Sequence, residues 1–124
     1  MVKQGMVSIW LGNIKNENSI EEYVDLKYDE DGESVPSKFF IDFNIDMDET
    51  DVDFIEKAVL KENSNNISVM LEGCSYEEIM IPKIIKHFNL TKSYNAVILI
   101  YKLEYYNKIN SIDEFDFITS ISYV

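Results

Sequence analysis

The chain has 124 residues, 46% of them hydrophobic, a formal net charge of −12 and no arginine. That length suits a single folded domain over residues 1–124, and that apolar content excludes a disordered acidic tail. The charge argues against nucleic-acid binding, which draws its affinity from lysine and arginine on phosphates, and no apolar run approaches the ~18 residues of a membrane span.

The start, Met1 to Gly5, lacks a signal peptide's apolar run, and Cys74 is the sole cysteine, so a reducing cytoplasm is the expected compartment. Met6 to Leu11 reads as a strand stopped by Gly12-Asn13, with Trp10 in the core. Ser19 and Glu22 form a capping-box pattern ahead of a helix whose inner face holds Ile20, Tyr23 and Val24. Asp29 to Glu33 is a loop. Pro36 with Phe39, Phe40 and Phe43 predicts a second short helix, and the acidic connector Ile45 to Asp51 leads to a strand from about Asp53 to Leu60, apolar on both faces.

Ser64 or Asn65 is expected to cap a short helix bearing Ile67, Met70 and Leu71, closed by Gly73. Ser75 and Glu78 repeat the capping-box pattern before Ile79, Ile84, Ile85 and Phe88. Pro82 inside this run predicts a kink or two short helices. Tyr94 to Tyr106 contains Ala96-Val97-Ile98-Leu99-Ile100, the pattern of a strand buried on both faces. Phe115, Phe117, Thr119, Ile121 and Tyr123 alternate with polar residues along a last strand, and Asn107 to Glu114 suits a hairpin between these two. The expected architecture is α+β in β-α-α-β-α-α-β-β order. Its sheet is mixed, of about four strands, with helices packed on one face.

Residues in search of chemistry are few. His87 reads as a structural helix residue, and Cys74 has no cationic neighbour to make a thiolate. The glycines are scattered singly, so no phosphate-binding loop exists. Asp46-Met47-Asp48-Glu49-Thr50 has the D-x-D-x-T spacing of aspartate-nucleophile phosphatases, yet Phe43-Asn44-Ile45 is too short for the strand that chemistry requires. As a calcium loop the same segment fails, with Asp51 where glycine is needed and Lys57 where a glutamate is needed. Counting back from Gly32 puts Lys27 at the first ligand position of the other acidic loop. No catalytic residue, metal site or cofactor is expected.

The charge is concentrated. Glu17 to Glu56 holds 15 of the 23 acidic residues and two lysines, 2 − 15 = −13, while the remaining residues hold nine lysines and eight acids, +1. Such asymmetry points to a basic partner. The contact candidates are Asp29, Glu30, Asp31, Glu33, Asp46, Asp48 and Glu49, all in expected loops, with Tyr28 as an aromatic anchor. Asp42, Asp51 and Asp53 border apolar segments and are expected to brace the fold. Solubility alone is the competing explanation for the acidity.

Val7 to Asn13, the Glu-rich helix reaching Tyr28-Asp29-Glu30-Asp31, Pro36 to Phe39, Asp42 to Ile45, Asp51 to Phe54, Gly73 to Tyr76 and Tyr94 to Tyr101 together resemble, in order, the immunity protein 22 family of bacterial polymorphic-toxin systems. Asn44 stands where that family often has glycine, a departure compatible with a left-handed helix end. The resemblance implies a non-enzymatic antidote that binds the toxin domain of a neighbouring effector, often a nuclease. It leaves the toxin unidentified. The alternative is a small regulatory or ligand-binding α+β domain with a pocket between the sheet and the helix Pro36 to Asn44.

Overall fold

The structure is a computed structural model describing residues 2–25, 27–50, 52–86, 90–105, 109–112 and 114–124, without the side chains of Lys27, Tyr28, Ser34, Asp48 and Val52. The expectations for His87, Phe88 and Asp51, and for the side chains of Tyr28 and Asp48, lie outside the described residues.

Strand β1 (Val2–Gly12) is followed by α1 (Glu17–Val24), a small hairpin of β2 (Lys27–Tyr28) and β3 (Ser34–Val35), and α2 (Lys38–Asp42). Then come β4 (Ile55–Ser64), α3 (Ile67–Met70), α4 (Glu77–Ile85), β5 (Tyr94–Leu103), β6 (Ser111–Ile112) and β7 (Phe115–Ser122). The α+β class is as expected. The sheet differs: it has five strands, ordered β4-β5-β1-β7-β6, and every described pairing in it is antiparallel. The expected hairpin of the last two long strands does not form, because β1 lies between β5 and β7. Val7 to Leu11 is buried throughout, and only a central position gives such a run a neighbour on both edges.

Helices cover both faces of the sheet, not one. On β5, Ala96, Ile98 and Ile100 join a core with Ile20 and Val24 of α1 and Phe39 and Phe40 of α2. The alternate residues Val97, Leu99 and Tyr101 join a second core with Ile67 and Met70 of α3 and Met80 and Ile84 of α4. A strand without a polar face requires an apolar layer on each side. Strand β4 shares this two-sidedness, with Ile55 and Val59 toward the first core and Leu60 toward the second, where Phe54, just ahead of the strand, joins it.

Two irregularities set which side chains reach which core. The β1–β7 register slips between Ile9 and Trp10, opposite Thr119 and Phe117, so Ile118 is the extra residue of a bulge. A one-residue insertion reverses the alternation. Phe115 and Phe117 therefore face the α1/α2 core while Ile121 and Tyr123 face the α3/α4 core, and the expected single apolar face of the last strand is divided. In β5, Lys102 has φ 62°, and Leu103 beyond it returns to the α1/α2 core.

Trp10 centres the first core, fully buried, with Phe39, Tyr105 and Phe117 rings 5.0–5.3 Å away and Phe43 at 5.9 Å. Its indole N–H has no hydrogen-bond acceptor among the described residues. Opposite Gly12, the Phe115 ring lies where a Cβ would be, and Tyr23 stacks on that ring at 5.1 Å.

Candidate functional site

The 29–33 turn is organised by one carboxylate. Asp29 Oδ1 accepts from the backbone N–H groups of Asp31 and Glu33, both at 2.9 Å, and Gly32 takes the left-handed conformation, φ 80°, that closes the turn. Asp29 therefore shapes the loop, and Glu30, Asp31 and Glu33 stand exposed upon it. Exposed Asp46 precedes, and half-buried Glu49 ends, a short 3-10 turn, Met47–Glu49, whose Met47 plugs the α1/α2 core. The contact candidates with described side chains thus lie at or near the surface, in two loops.

Other carboxylates of the acidic stretch are used internally. Asp42 Oδ2 accepts from the Tyr23 hydroxyl at 3.0 Å and from Lys38 Nζ at 2.8 Å, the bracing role expected of it. Glu21 pairs with Lys57 at 3.4 Å. Helix α1 starts earlier than Ser19, because Asn16 caps it by accepting from the Ser19 N–H at 2.9 Å. Helix α2 buries Phe39 and Phe40, and Asn44 beyond it takes the left-handed end, φ 55°. The space expected for a ligand between α2 and the sheet is filled by these rings against Trp10, leaving a shallow cavity of about 190 Å³ at the rim, beside Tyr23 and Lys38. Outward, Ile41 is 63% exposed and Val35 on the hairpin 42%.

A second concave site was not signalled by the sequence. A cleft of about 380 Å³ is lined by Asp53, Phe54, Glu56, Ser75, Tyr76, Tyr101, Lys102 and Tyr123. Three tyrosines form its aromatic wall, with ring centroids 4.8 Å apart for Tyr76–Tyr123, 5.2 Å for Tyr101–Tyr123 and 6.0 Å for Tyr76–Tyr101. Glu56 forms its base. Its Oε1 accepts from the Tyr101 hydroxyl at 2.6 Å and from the Ser75 N–H at 3.0 Å. Ser75 thus spends its N–H on Glu56, and Tyr76, not Ser75, is the N-cap of α4, in a left-handed conformation with φ 63° and no side-chain cap. The residues come from four distant segments, so no local window of sequence displays them together.

Two weak acids at this cleft, Tyr101 and Cys74, are held in their protonated forms. Burial, with the hydrogen bond and charge of Glu56, pushes the Tyr101 hydroxyl far above its ordinary value, so it stays protonated at neutral pH. Burial, reinforced by Glu56 and Glu77, pushes the Cys74 thiol up to about 12, which withholds the thiolate a nucleophile needs. Among the described residues no group of three or more His, Cys, Asp or Glu side chains is placed to hold a metal ion. No helix among them is long and apolar enough to cross a membrane.

No curated protein and no solved structure matches the chain. The family model described as Immunity protein 22 matches residues 7–123, from the first buried residue of β1 to the last residue of the tyrosine wall, and the chain belongs to that family.

Proposed function

We propose that this chain is a non-enzymatic immunity protein, made and retained in the cytoplasm of a bacterium, that neutralises a cognate toxin domain by docking an acidic surface on it. Membership of an immunity-protein family is the observation that carries this reading. The exposed carboxylates Glu30, Asp31, Glu33 and Asp46 support the choice of surface, with Asp29 shaping the hairpin and Asp48 and Glu49 extending the connector. Carboxylates presented on loops raise the encounter rate with a cationic partner, and neighbouring apolar groups such as Val35 and Ile41 supply contact that excludes water. Tyr28 is the aromatic candidate on the same hairpin. A basic toxin suits this face best, and a nuclease carries such a surface in its substrate groove.

The test reverses four exposed charges: Glu30→Lys, Asp31→Lys, Glu33→Lys and Asp46→Lys together. The cognate domain is sought in the gene adjoining this one. We expect the association rate with that domain to fall roughly a hundredfold at low salt and growth protection to weaken. Unchanged protection and rate would place the contact surface elsewhere.

A further inference from the structure

Tyr76 is the residue whose placement the fold does not require. It begins α4 in a backbone conformation that glycine or asparagine adopts far more readily, makes no side-chain cap, and is 47% exposed. What the arrangement achieves is to stand its ring against Tyr123 and Tyr101 over the Glu56 carboxylate. Lys102, the other left-handed residue on this cleft, turns its ammonium onto the Phe54 ring, 4.0 Å from the centroid. One wall of the cleft already holds a cation against an aromatic face.

We propose that the cleft enclosed by Tyr76, Tyr101 and Tyr123 above Glu56 is the receptor for a single arginine side chain presented by a protein partner. The proposal rests on the partner-binding reading above and names the side chain by which such a partner is held. Ring faces attract a cation, and a planar guanidinium stacks on them while directing its N–H groups at a carboxylate. Lysine, a compact and strongly hydrated point charge, gains less from stacked rings. Glu56 is fixed in position by Tyr101 and Ser75, with most of its second oxygen's capacity left for an incoming donor, since among the described residues Oε2 has only the long 3.4 Å contact to the Ser75 N–H. The lining side chains Asp53, Glu56 and Lys102 sum to 1 − 2 = −1, which disfavours an anion. A volume of about 380 Å³ lies at the small end of ligand clefts, room for a side chain and not for a large cofactor.

The experiment titrates the isotope-labelled full chain with N-acetyl-L-arginine N-methylamide and follows backbone amide resonances. Saturable shifts centred on Ser75, Tyr76, Tyr101, Lys102 and Tyr123 are expected. The citrulline analogue, neutral but of nearly the same shape, is expected to bind roughly tenfold more weakly. Tyr76→Asn keeps a residue suited to the left-handed backbone, so its unfolding midpoint should match or exceed the parent's while arginine binding falls roughly tenfold. Glu56→Gln retains an acceptor for Tyr101 and removes the charge, and should weaken the probe similarly. No saturable shift in the cleft, equal binding of citrulline, or undiminished binding by both variants would overturn the proposal. The hairpin charge reversals should leave the probe's affinity unaltered. Failure here is therefore separable from failure of the toxin-binding reading, which is judged on protection and association rate.

Discussion

Asp116 shows how one carboxylate of this acidic protein is put to structural use. Burial alone would raise its pKa, but donors from Ser111 Oγ at 2.5 Å and the Tyr94 hydroxyl at 2.6 Å, with Lys92 at 3.5 Å, outweigh that and hold it below the ordinary value of 3.8. A carboxyl depressed in the folded state contributes stability that is complete above its unfolded pKa and is lost as pH falls through the folded one. Asp116→Asn should therefore cost about 1–3 kcal/mol at pH 7, and the gap to the parent should narrow in acid as both carry a neutral group. Denaturant unfolding across a pH series measures this, and a pH-independent gap would refute it. Ser8 is a neutral counterpart. Fully buried on β1, its hydroxyl donates to the Leu103 carbonyl at 2.8 Å, contacts the Ser120 hydroxyl at 2.6 Å and receives the Tyr105 N–H at 3.1 Å, which ties the chain down where β5 ends.

At the scale of elements, α4 holds the least expected geometry. The proline in its middle predicts a kink or two short helices, and of the two the structure excludes the pair of helices, since Glu77–Ile85 is one helix. Pro82 lies one turn and a half from the start, so the N–H it lacks would have reached only the Glu78 carbonyl, and Met80 and Ile84 are anchored in the core on either side of it. Lys83 adds a tether, donating to the Ser122 and Val124 carbonyls at 3.0 and 3.2 Å. Restoring the missing donor with Pro82→Ala should stabilise the fold by about 1–2 kcal/mol, after allowance for the greater freedom of the unfolded chain, as read from chemical denaturation. A loss of stability would mean that proline's fixed φ outweighs the donor it lacks. Elements written in local alternation or capping were legible in the sequence, among them β1, the aromatic α2 and the doubly buried β5. Strand partners were not, because pairing β1 with both β5 and β7 is a long-range choice. Nor was the divided face of β7, since the bulge at Ile118 is set by the register against β1 rather than by β7's own residues. The candidate site splits in the same way. The hairpin carboxylates are contiguous in sequence and were visible as a charge run, whereas the tyrosine cleft is assembled only when residues near 55, 75, 101 and 123 meet.

Across the whole molecule, the acidity opposes compactness. A net charge of −12 on 124 residues makes the folded state repel itself, and screening weakens that repulsion. The thermal midpoint of the isolated protein is expected to rise as salt is added, most steeply up to about 0.1 M, where the Debye length reaches ~10 Å. Scanning calorimetry at several ionic strengths checks this, and a flat response would indicate that the carboxylates are already neutralised by their own lysines. The central place of β1 has a temporal consequence as well. Both strands that flank it, β5 and β7, follow every described helix in the chain, so β1 waits unpaired until they too have left the ribosome. Truncation before Phe115 would deprive β1 of one edge and both helix layers of their closing residues. The sheet would therefore be completed only once β7 has emerged from the ribosome.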